Sequence, residues 1–128
     1  IIPLGGVEEI GKNMTAIEIG NDIIVIDAGM FFSNENTPGI DYVIPNTRYL
    51  EERKDKIRAL IVTHGHLDHI GGIAHVMPRI GNPPIFATDL TCGIIQKRQE
   101  DHRHDHLLSR GELRAADKGR LPVHRSLC

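Results

Sequence analysis

The sequence has few of the features that build disulfide frameworks, membrane spans or nucleotide-binding loops. Only two cysteines occur, Cys92 and Cys128, which are too few for a disulfide framework and are not spaced like a zinc ribbon. No stretch approaches the roughly 18 apolar residues of a membrane span, and the first residues lack the basic flank and apolar core of a signal peptide. Gly5 and Gly6 lack the lysine and hydroxyl residue of a P-loop. We therefore expect a cytoplasmic protein with no membrane partner.

The formal net charge of -2 gives no overall attraction to nucleic acid, but it hides a division along the chain. Residues 1–95 carry 12 acidic and 7 basic side chains, whereas residues 96–128 carry 5 acidic and 8 basic ones. The second segment also lacks Ile, Met, Phe, Tyr and Trp, so it has little with which to form a core. We predict one domain, or part of one, over 1–95. The divergent tail over 96–128 is disordered, an RNA-facing appendage or the product of a shifted reading frame.

The hydrophobic pattern predicts strands that alternate with helices, which places the chain in the α/β class. Strands are expected at 1–4, 14–19, 23–26, 58–63 and 85–87. Helices are expected at about 47–56, 69–80 and 89–100. Residues 31–45 contain a Pro-Gly pair and several asparagines, so we expect a surface loop there.

Three histidines and one aspartate occur within six residues, directly after the predicted strand 58–63, and this cluster indicates a metal site. The residues are His64, His66, Asp68 and His69. Imidazole nitrogen and carboxylate oxygen are ligands that zinc accepts in catalytic sites. An extended backbone would send the first two rings to opposite sides, so the chain must bend, which Gly65 permits. We then expect His64 and His66 to share one metal, and Asp68 and His69 to face a second about 3.5 to 4 Å away.

Two adjacent metals can deprotonate a bridging water near neutral pH and neutralise charge on a phosphoryl or carbonyl oxygen. The motif therefore predicts hydrolysis by metal-bound hydroxide. The alternative interpretation is a set of solvated loop histidines, with Asp68 as the N-cap of the following helix. A second cluster in the tail, His102, His104 and His106, could also bind metal, but the sequence favours a solvated polar helix end, because no apolar stripe fixes these rings near residue 64.

The metal motif and four other segments are similar to one known family. The pattern His64-x-His66-x-Asp68-His69 resembles the signature of the metallo-β-lactamase fold hydrolases. Residues 3–7 (PLGGV), 9–14 (EIGKNM), 24–29 (IVIDAG) and 39–45 (GIDYVIP) resemble the ribonuclease J family, which belongs to the β-CASP branch of that superfamily. The resemblance covers about residues 1–95.

This resemblance implies an αββα sandwich and a two-zinc ribonuclease. Such an enzyme cuts RNA internally and also digests it from a 5′ end that carries a monophosphate. By position, His64 and His66 would ligate the first zinc and Asp68 and His69 the second, with Asp68 also orienting the hydroxide. Asp27 resembles the carboxylate that supports these ligands, although a simple turn residue at a strand end is the alternative.

The resemblance also implies that this sequence is the N-terminal part of a longer enzyme. The family needs a further histidine, a bridging aspartate and a distal histidine, and none of them aligns within this chain. The family also suggests a homo-oligomer, but the parts that would form it are absent here. We expect aggregation or partial disorder of the isolated chain, because half a sandwich leaves an apolar sheet face uncovered.

Two other functions stay open from the sequence. One is a hydrolase of the same fold that acts on a thioester or a lactam, since the metal motif is shared across the superfamily. The other is an inactive, truncated metal-binding module, because two histidines alone hold zinc weakly.

Overall fold

The computed structural model describes residues 1–9, 11–32, 39–110 and 123–125, with side chains described as far as residue 102. The strands are β1 Ile2–Gly5, β2 Met14–Ile19, β3 Asp22–Ile26, β4 Phe31–Phe32, β5 Tyr42–Val43, β6 Ile57–Ile61, β7 Ile85–Ala87 and β8 Val123–Arg125. The helices are α1 Arg48–Glu51, α2 Leu67–Ile70, α3 Ile73–Val76 and α4 Asp89–Arg110, with a 3-10 turn at Lys54–Lys56. Within these ranges no helix is long and apolar enough to cross a membrane.

Six of the strands form one mixed sheet in the order β1-β2-β3-β6-β7-β8. The first three are antiparallel neighbours, whereas β3, β6, β7 and β8 run parallel. Strands β3 and β6 pair up to Ile26 and Ile61, so they end side by side. Because functional loops of parallel sheets follow the carboxyl ends of the strands, this edge is where a site is expected. The mixed sheet and its helices agree with the predicted α/β class.

The core lies between one face of this sheet and the helices. Buried apolar side chains on the strands include Met14, Ala16, Ile23, Val25, Leu60 and Ile85, and those on the helical side include Ile70, Ile73, Val76, Met77, Ile80 and Ile95. The opposite face carries Ile61 and Phe86, which pair across β6 and β7 and are 39% and 40% exposed. The sheet therefore presents apolar side chains to solvent on that face, as expected for half of a sandwich.

The apolar stripe predicted over 69–80 is buried, but the single helix predicted there is wrong. The chain forms two short helices, α2 and α3, which are separated by Gly71 and Gly72. The amide of Gly72 donates to the carbonyl of Ala28 at 2.9 Å, and a Cβ at Gly72 would lie 2.5 Å from the carbonyl oxygen of Gly29. The helix breaks because its backbone packs directly on the segment that follows β3.

Other boundaries differ less from the prediction. The predicted loop 31–45 contains the β4–β5 pair, and the predicted helix 47–56 is α1 followed by the 3-10 turn. Helix α4 continues past position 100 to Arg110, and so it runs through position 96, where we placed the start of the tail. Strand β8 adds to the sheet edge beside β7. Residues 111–122 and 126–128 of the predicted tail lie outside the described part of the chain, and the predicted disorder or frame shift stays a prediction.

Candidate metal centre

The segment that follows β3 begins with a strained residue. Asp27 has a φ of +60°, which is uncommon for a residue other than glycine, although aspartate tolerates this region better than most. Its amide donates to the carbonyl oxygen of Ile61 at 2.9 Å and so extends the pairing of β3 with β6 by one residue. Backbone strain of this kind often accompanies functional sites, where surrounding contacts hold the residue in place.

The side chain of Asp27 is buried and accepts hydrogen bonds from Thr63, which precedes the metal motif, and from His69 within the motif. The backbone amide of Thr63 donates to Oδ1 at 2.8 Å, and the hydroxyl of Thr63 lies 3.0 and 2.9 Å from the two carboxylate oxygens. Nδ1 of His69 lies 2.8 Å from Oδ2. A carboxylate can only accept, so Nδ1 carries the hydrogen, and Nε2 of His69 keeps a lone pair for a metal. Asp27 thus fixes the ring orientation of a candidate ligand.

His64 and His66 bring two ring nitrogens together. Nε2 of His64 lies 3.2 Å from Nδ1 of His66, and the ring centroids are 4.6 Å apart in an edge-on arrangement. Two imidazole nitrogens bound to one tetrahedral zinc at the usual bond length would lie about 3.3 Å apart. Nδ1 of His64 lies 3.1 Å from the hydroxyl of Thr63, so Nε2 is the nitrogen left for a metal. This first donor pair matches the separation that a shared zinc needs.

Asp68 and His69 form a second donor pair. Oδ2 of Asp68 lies 3.3 Å from Nε2 of His69, again the separation of two ligands on one tetrahedral ion. The His69 ring centroid is 4.0 Å from that of His64, so the two pairs are neighbours. The Asp68 side chain is 40% exposed, so its carboxylate remains accessible from solvent.

Backbone hydrogen bonds hold helix α2, which carries the second pair. They run from Asn13 N to Asp68 O at 2.9 Å, from Ala28 N to His69 O at 2.8 Å and from Met30 N to Leu67 O at 3.1 Å. Gly29 lies within this contact, and a Cβ there would be 1.7 Å from the carbonyl oxygen of Asp68. The segment after β3 can therefore approach α2 this closely only with glycine at position 29.

One expectation about the motif loop is confirmed and one alternative is wrong. The chain bends at Gly65, as predicted, and the missing side chain there also leaves room for Ile94, whose Cδ1 would lie 2.7 Å from a Cβ at position 65. The alternative that made Asp68 the N-cap of the helix is wrong, because His66 occupies that position and Asp68 lies in the first turn of α2.

Asn13 and Thr63 belong to this site, although the sequence pattern predicts a role for neither. Nδ2 of Asn13 lies 3.1 Å from Oδ2 of Asp68 and 3.2 Å from Nε2 of His69. Thr63 directly precedes the motif in the sequence, and this position next to the candidate ligands could have indicated that it belongs to the site. Nothing in the spacing of the sequence could have revealed Asn13, which is separated from Asp68 by 55 positions.

The second histidine cluster of the sequence analysis contributes to a different region. His102 packs edge-on against His75 with ring centroids 4.9 Å apart, and His75 stacks on Tyr42 at 4.8 Å. These three residues line a cavity of about 220 Å³ that none of the four motif residues contacts. Burial lowers the pKa of His75, and the nearby charges of His102 and Arg79 lower it further. The side chains of His104 and His106 lie outside the described residues.

The donors near the motif come as two pairs and not as a closed ligand set. Within the described residues, no three His, Cys, Asp or Glu side chains form a group that could hold a metal ion. Nitrogen and oxygen donors at these separations fit zinc, but a complete structural or catalytic site needs at least three protein ligands. A further ligand for each ion would have to come from outside the described part of the chain.

Comparison with known proteins gives a consistent set of similarities. A family model for the metallo-beta-lactamase superfamily matches residues 8–119. The chain is 41% identical over 103 residues to ribonuclease J of Mycoplasma pneumoniae and 44% identical over 105 residues to ribonuclease J of Thermus thermophilus. These matches cover 80% and 79% of this chain but only 18% of each relative, so the chain spans about a fifth of their length. A solved B3 metallo-beta-lactamase is 21% identical, with a TM-score of 0.46 over 73% of this chain and 32% of that one.

Proposed function

The chain belongs to the metallo-beta-lactamase superfamily, and from that premise we propose that it is the metal-binding N-terminal part of a zinc-dependent ribonuclease. The observation that carries this proposal is the presence of two neighbouring donor pairs at the carboxyl ends of β3 and β6. The two donor atoms are 3.2 Å apart in the first pair and 3.3 Å apart in the second. The choice of RNA as substrate is supported by the name that the relatives carry, ribonuclease J. The names of these two relatives give no support to thioester or lactam hydrolysis.

Each residue of the site has a definite task under this proposal. His64 and His66 would hold one zinc ion, and Asp68 and His69 would hold the other. When bound, the two ions acidify a water molecule and neutralise charge on the scissile phosphoryl group. Asp27 keeps the proton of His69 on Nδ1, so that Nε2 remains a ligand. Asp68 also presents its exposed carboxylate to the attacking water, which it can orient as an acceptor.

Finer features of the activity rest on the resemblance of residues 1–95 to the ribonuclease J family. We propose that the RNA substrate carries a 5′ monophosphate and that both internal cleavage and 5′-to-3′ digestion occur. We also propose a cytoplasmic location and a homo-oligomeric complete enzyme. The chain would supply four of the seven metal ligands that the resemblance implies for that enzyme.

Zinc binding tests the metal part of this proposal in a full-length chimera, which carries this chain's aligned residues in place of the matching segment of the Mycoplasma pneumoniae relative and so contains the further ligands. We expect the chimera to retain zinc after passage over a weak chelator and His66→Ala to lose zinc from the first pair, as measured by inductively coupled plasma mass spectrometry. His75→Gln is the matched control, because His75 lies in the separate cavity and should leave zinc content unchanged. Equal zinc content in wild type and His66→Ala would contradict the assignment of the first pair.

Substrate choice is best tested in a chain of full length. The matching segment of the Mycoplasma pneumoniae relative can be exchanged for this chain's 103 aligned residues. The chimera is then assayed with 5′-monophosphorylated RNA, a chromogenic lactam and a thioester. We expect zinc-dependent cleavage of RNA that His66→Ala abolishes. Turnover of the lactam or thioester without cleavage of RNA would overturn the proposal in favour of another hydrolase of this fold.

A further inference from the structure

We propose that the cavity lined by strands β4 and β5 and helices α2, α3 and α4 binds a single nucleobase. The inference deepens the proposed function and rests on it, because the base is assigned to the RNA substrate. The cavity holds about 220 Å³, and none of the four motif residues lines it. An apolar cavity of about 150 Å³ accepts benzene, whereas drug-sized ligands occupy roughly 300 Å³ or more. The volume therefore suits one planar ring system.

The lining of this cavity combines apolar side chains with hydrogen-bond donors. Ile70, Ile73 and Ile95 contribute apolar surface from α2, α3 and α4. The polar members of the lining are Tyr42, His75, Arg98, Gln99 and His102. Among the described residues, no aspartate or glutamate lines the cavity. Such a lining favours an uncharged planar ring with acceptors at its edge, and nucleobases have this chemistry.

Aromatic rings surround the same cavity and remain accessible. Phe32 and Tyr42 are partners across β4 and β5, and their side chains are 49% and 42% exposed. His75 stacks on Tyr42, with 4.8 Å between the ring centroids and 29° between the ring planes. His102 adds a further ring, edge-on to His75. Accessible aromatic side chains of this kind are the surfaces on which proteins stack unpaired RNA bases.

Gln99 has an unsatisfied donor at this cavity. Its Nε2 is buried and has no hydrogen-bond partner within the part of the chain that the structure describes. A buried donor without a partner costs free energy, and an acceptor that reaches it recovers this loss. The terminal torsion of glutamine is soft, so the amide can turn towards a ring nitrogen or carbonyl oxygen of a bound base. We therefore assign Gln99 to the edge of the base.

The charges at the cavity agree with this ligand. Burial lowers the pKa of His75, and the charges of His102 and Arg79 lower it further, so the His75 ring is neutral near pH 7. A neutral ring can stack on a base without removing a charge from water. Arg98 is exposed and lines the same cavity, so its guanidinium is available for a phosphate of the bound nucleotide.

Removal of the amide at position 99 should weaken base binding. We expect Gln99→Leu, which has a similar volume but no donor, to bind uridine about 10-fold more weakly than wild type. Ala74→Leu is a second variant and should abolish binding, because the larger side chain fills the cavity that Ala74 lines. Gln96→Leu is the matched control, because Gln96 lies on the same helix as Gln99 and does not line the cavity.

The experiment measures binding of uridine to the purified chain by saturation-transfer NMR, which needs only a low concentration of protein. We expect a dissociation constant on the order of 1 mM, because a single nucleoside makes few contacts. Saturation should be stronger on the base protons than on the ribose protons. Ribose 5-phosphate, which lacks a base, should not displace uridine. Thermal unfolding checks that each variant is folded.

A second arm distinguishes an RNA strand from a free nucleotide as the source of the base. A short single strand of oligouridylate should bind more tightly than uridine, because its phosphates can reach Arg98. Arg98→Met should remove this gain without changing the affinity for uridine. Binding of uridine but not of the oligonucleotide would assign the cavity to a free nucleotide and overturn the RNA part of the proposal.

The outcomes separate this inference from the function on which it rests. The inference is overturned if a folded wild-type chain transfers no saturation to uridine, or if the two cavity variants bind uridine as well as Gln96→Leu does. Displacement of uridine by ribose 5-phosphate would show an anion site instead and would also overturn it. These measurements need no zinc, so such results leave the proposed function standing. A chimera that binds zinc but cleaves no RNA would overturn the proposed function and, with it, the assignment of the base to a substrate.

Discussion

Oδ2 of Asp27 lies 2.8 Å from Nδ1 of His69, so the residue that follows strand β3 determines which nitrogen of a histidine in α2 can bind a metal. The same carboxylate accepts hydrogen bonds from Thr63, the residue before the metal motif. One buried side chain therefore joins the residue before the motif to the last residue of the motif. This contact requires β3 and β6 to be parallel neighbours, and it relates the fold directly to the chemistry of the site.

The first prediction concerns the charge of Asp27. The substitution Asp27→Asn keeps the shape of the side chain, and asparagine tolerates the positive φ at this position, but the negative charge that favours the hydrogen on Nδ1 of His69 is lost. We expect zinc affinity to fall about 10-fold, as measured by chelator competition. Asp22→Asn is the control, because Asp22 pairs with Arg58 on an exposed surface. Unchanged affinity in Asp27→Asn would show that this carboxylate is only a turn residue.

The second prediction concerns the close contact at Gly29. A Cβ at this position would lie 1.7 Å from the carbonyl oxygen of Asp68, and backbone atoms cannot move aside as a side chain does. We expect Gly29→Ala to destabilise the chain by about 3 kcal/mol in urea denaturation. Gly93→Ala is the matched control. A Cβ at Gly93 meets nothing within 4 Å, and the residue lies inside α4, so we expect stabilisation of about 1 kcal/mol there. Similar effects of the two substitutions would contradict the predicted contact.

The third prediction concerns pH. Burial against neighbours that include Tyr42 lowers the pKa of His75 in the folded chain below its ordinary value, and the charges of His102 and Arg79 lower it further. The unfolded chain therefore binds a proton at this residue more readily than the folded chain does. The contribution of His75 to stability is present above its ordinary pKa of 6.5 and is lost as pH falls through the lowered value.

We therefore expect the free energy of unfolding to decrease between about pH 7.5 and pH 5.5 more steeply in wild type than in His75→Phe. Phenylalanine retains a ring for stacking on Tyr42 but does not titrate. Urea denaturation at several pH values measures the free energy of unfolding of the two chains. The contributions of the other histidines cancel in the difference between them. Parallel pH profiles would contradict the prediction.

The fourth prediction concerns the apolar face of the sheet. Ile61 and Phe86 are neighbours across β6 and β7 and both are partly exposed. We expect the isolated chain to self-associate, and we expect Ile61→Thr and Phe86→Thr to reduce this association because threonine suits a strand but presents less apolar surface. Sedimentation velocity measures the effect. Leu90→Thr is the control, since Leu90 is exposed on α4 and away from the sheet. A wild-type chain that stays monomeric at high concentration would contradict the prediction.

Much of the local structure follows from the sequence alone. The alternating pattern of β2 predicts a strand because side-chain burial alternates along an extended backbone. The β-branched run of β3 predicts a strand because β-branched residues favour this conformation. Each pattern can be recognised from the few residues of one strand. The apolar stripe of residues 70–80 is buried as predicted for the same local reason. The type of site also follows, since histidine and aspartate are metal ligands whatever fold presents them.

Only the tertiary structure decided how these parts meet. Asp27 contacts His69 across 42 positions and Asn13 contacts His69 across 56, and both contacts exist because the strand edges and α2 pack together. The break at Gly71 and Gly72 has the same origin, because the close approach of two backbones outweighs a helical pattern that would continue through that point. Periodicity and residue chemistry are local properties that one stretch of sequence contains in full. Ligand orientation depends instead on distances between segments that are remote in the chain, which the folded arrangement alone determines.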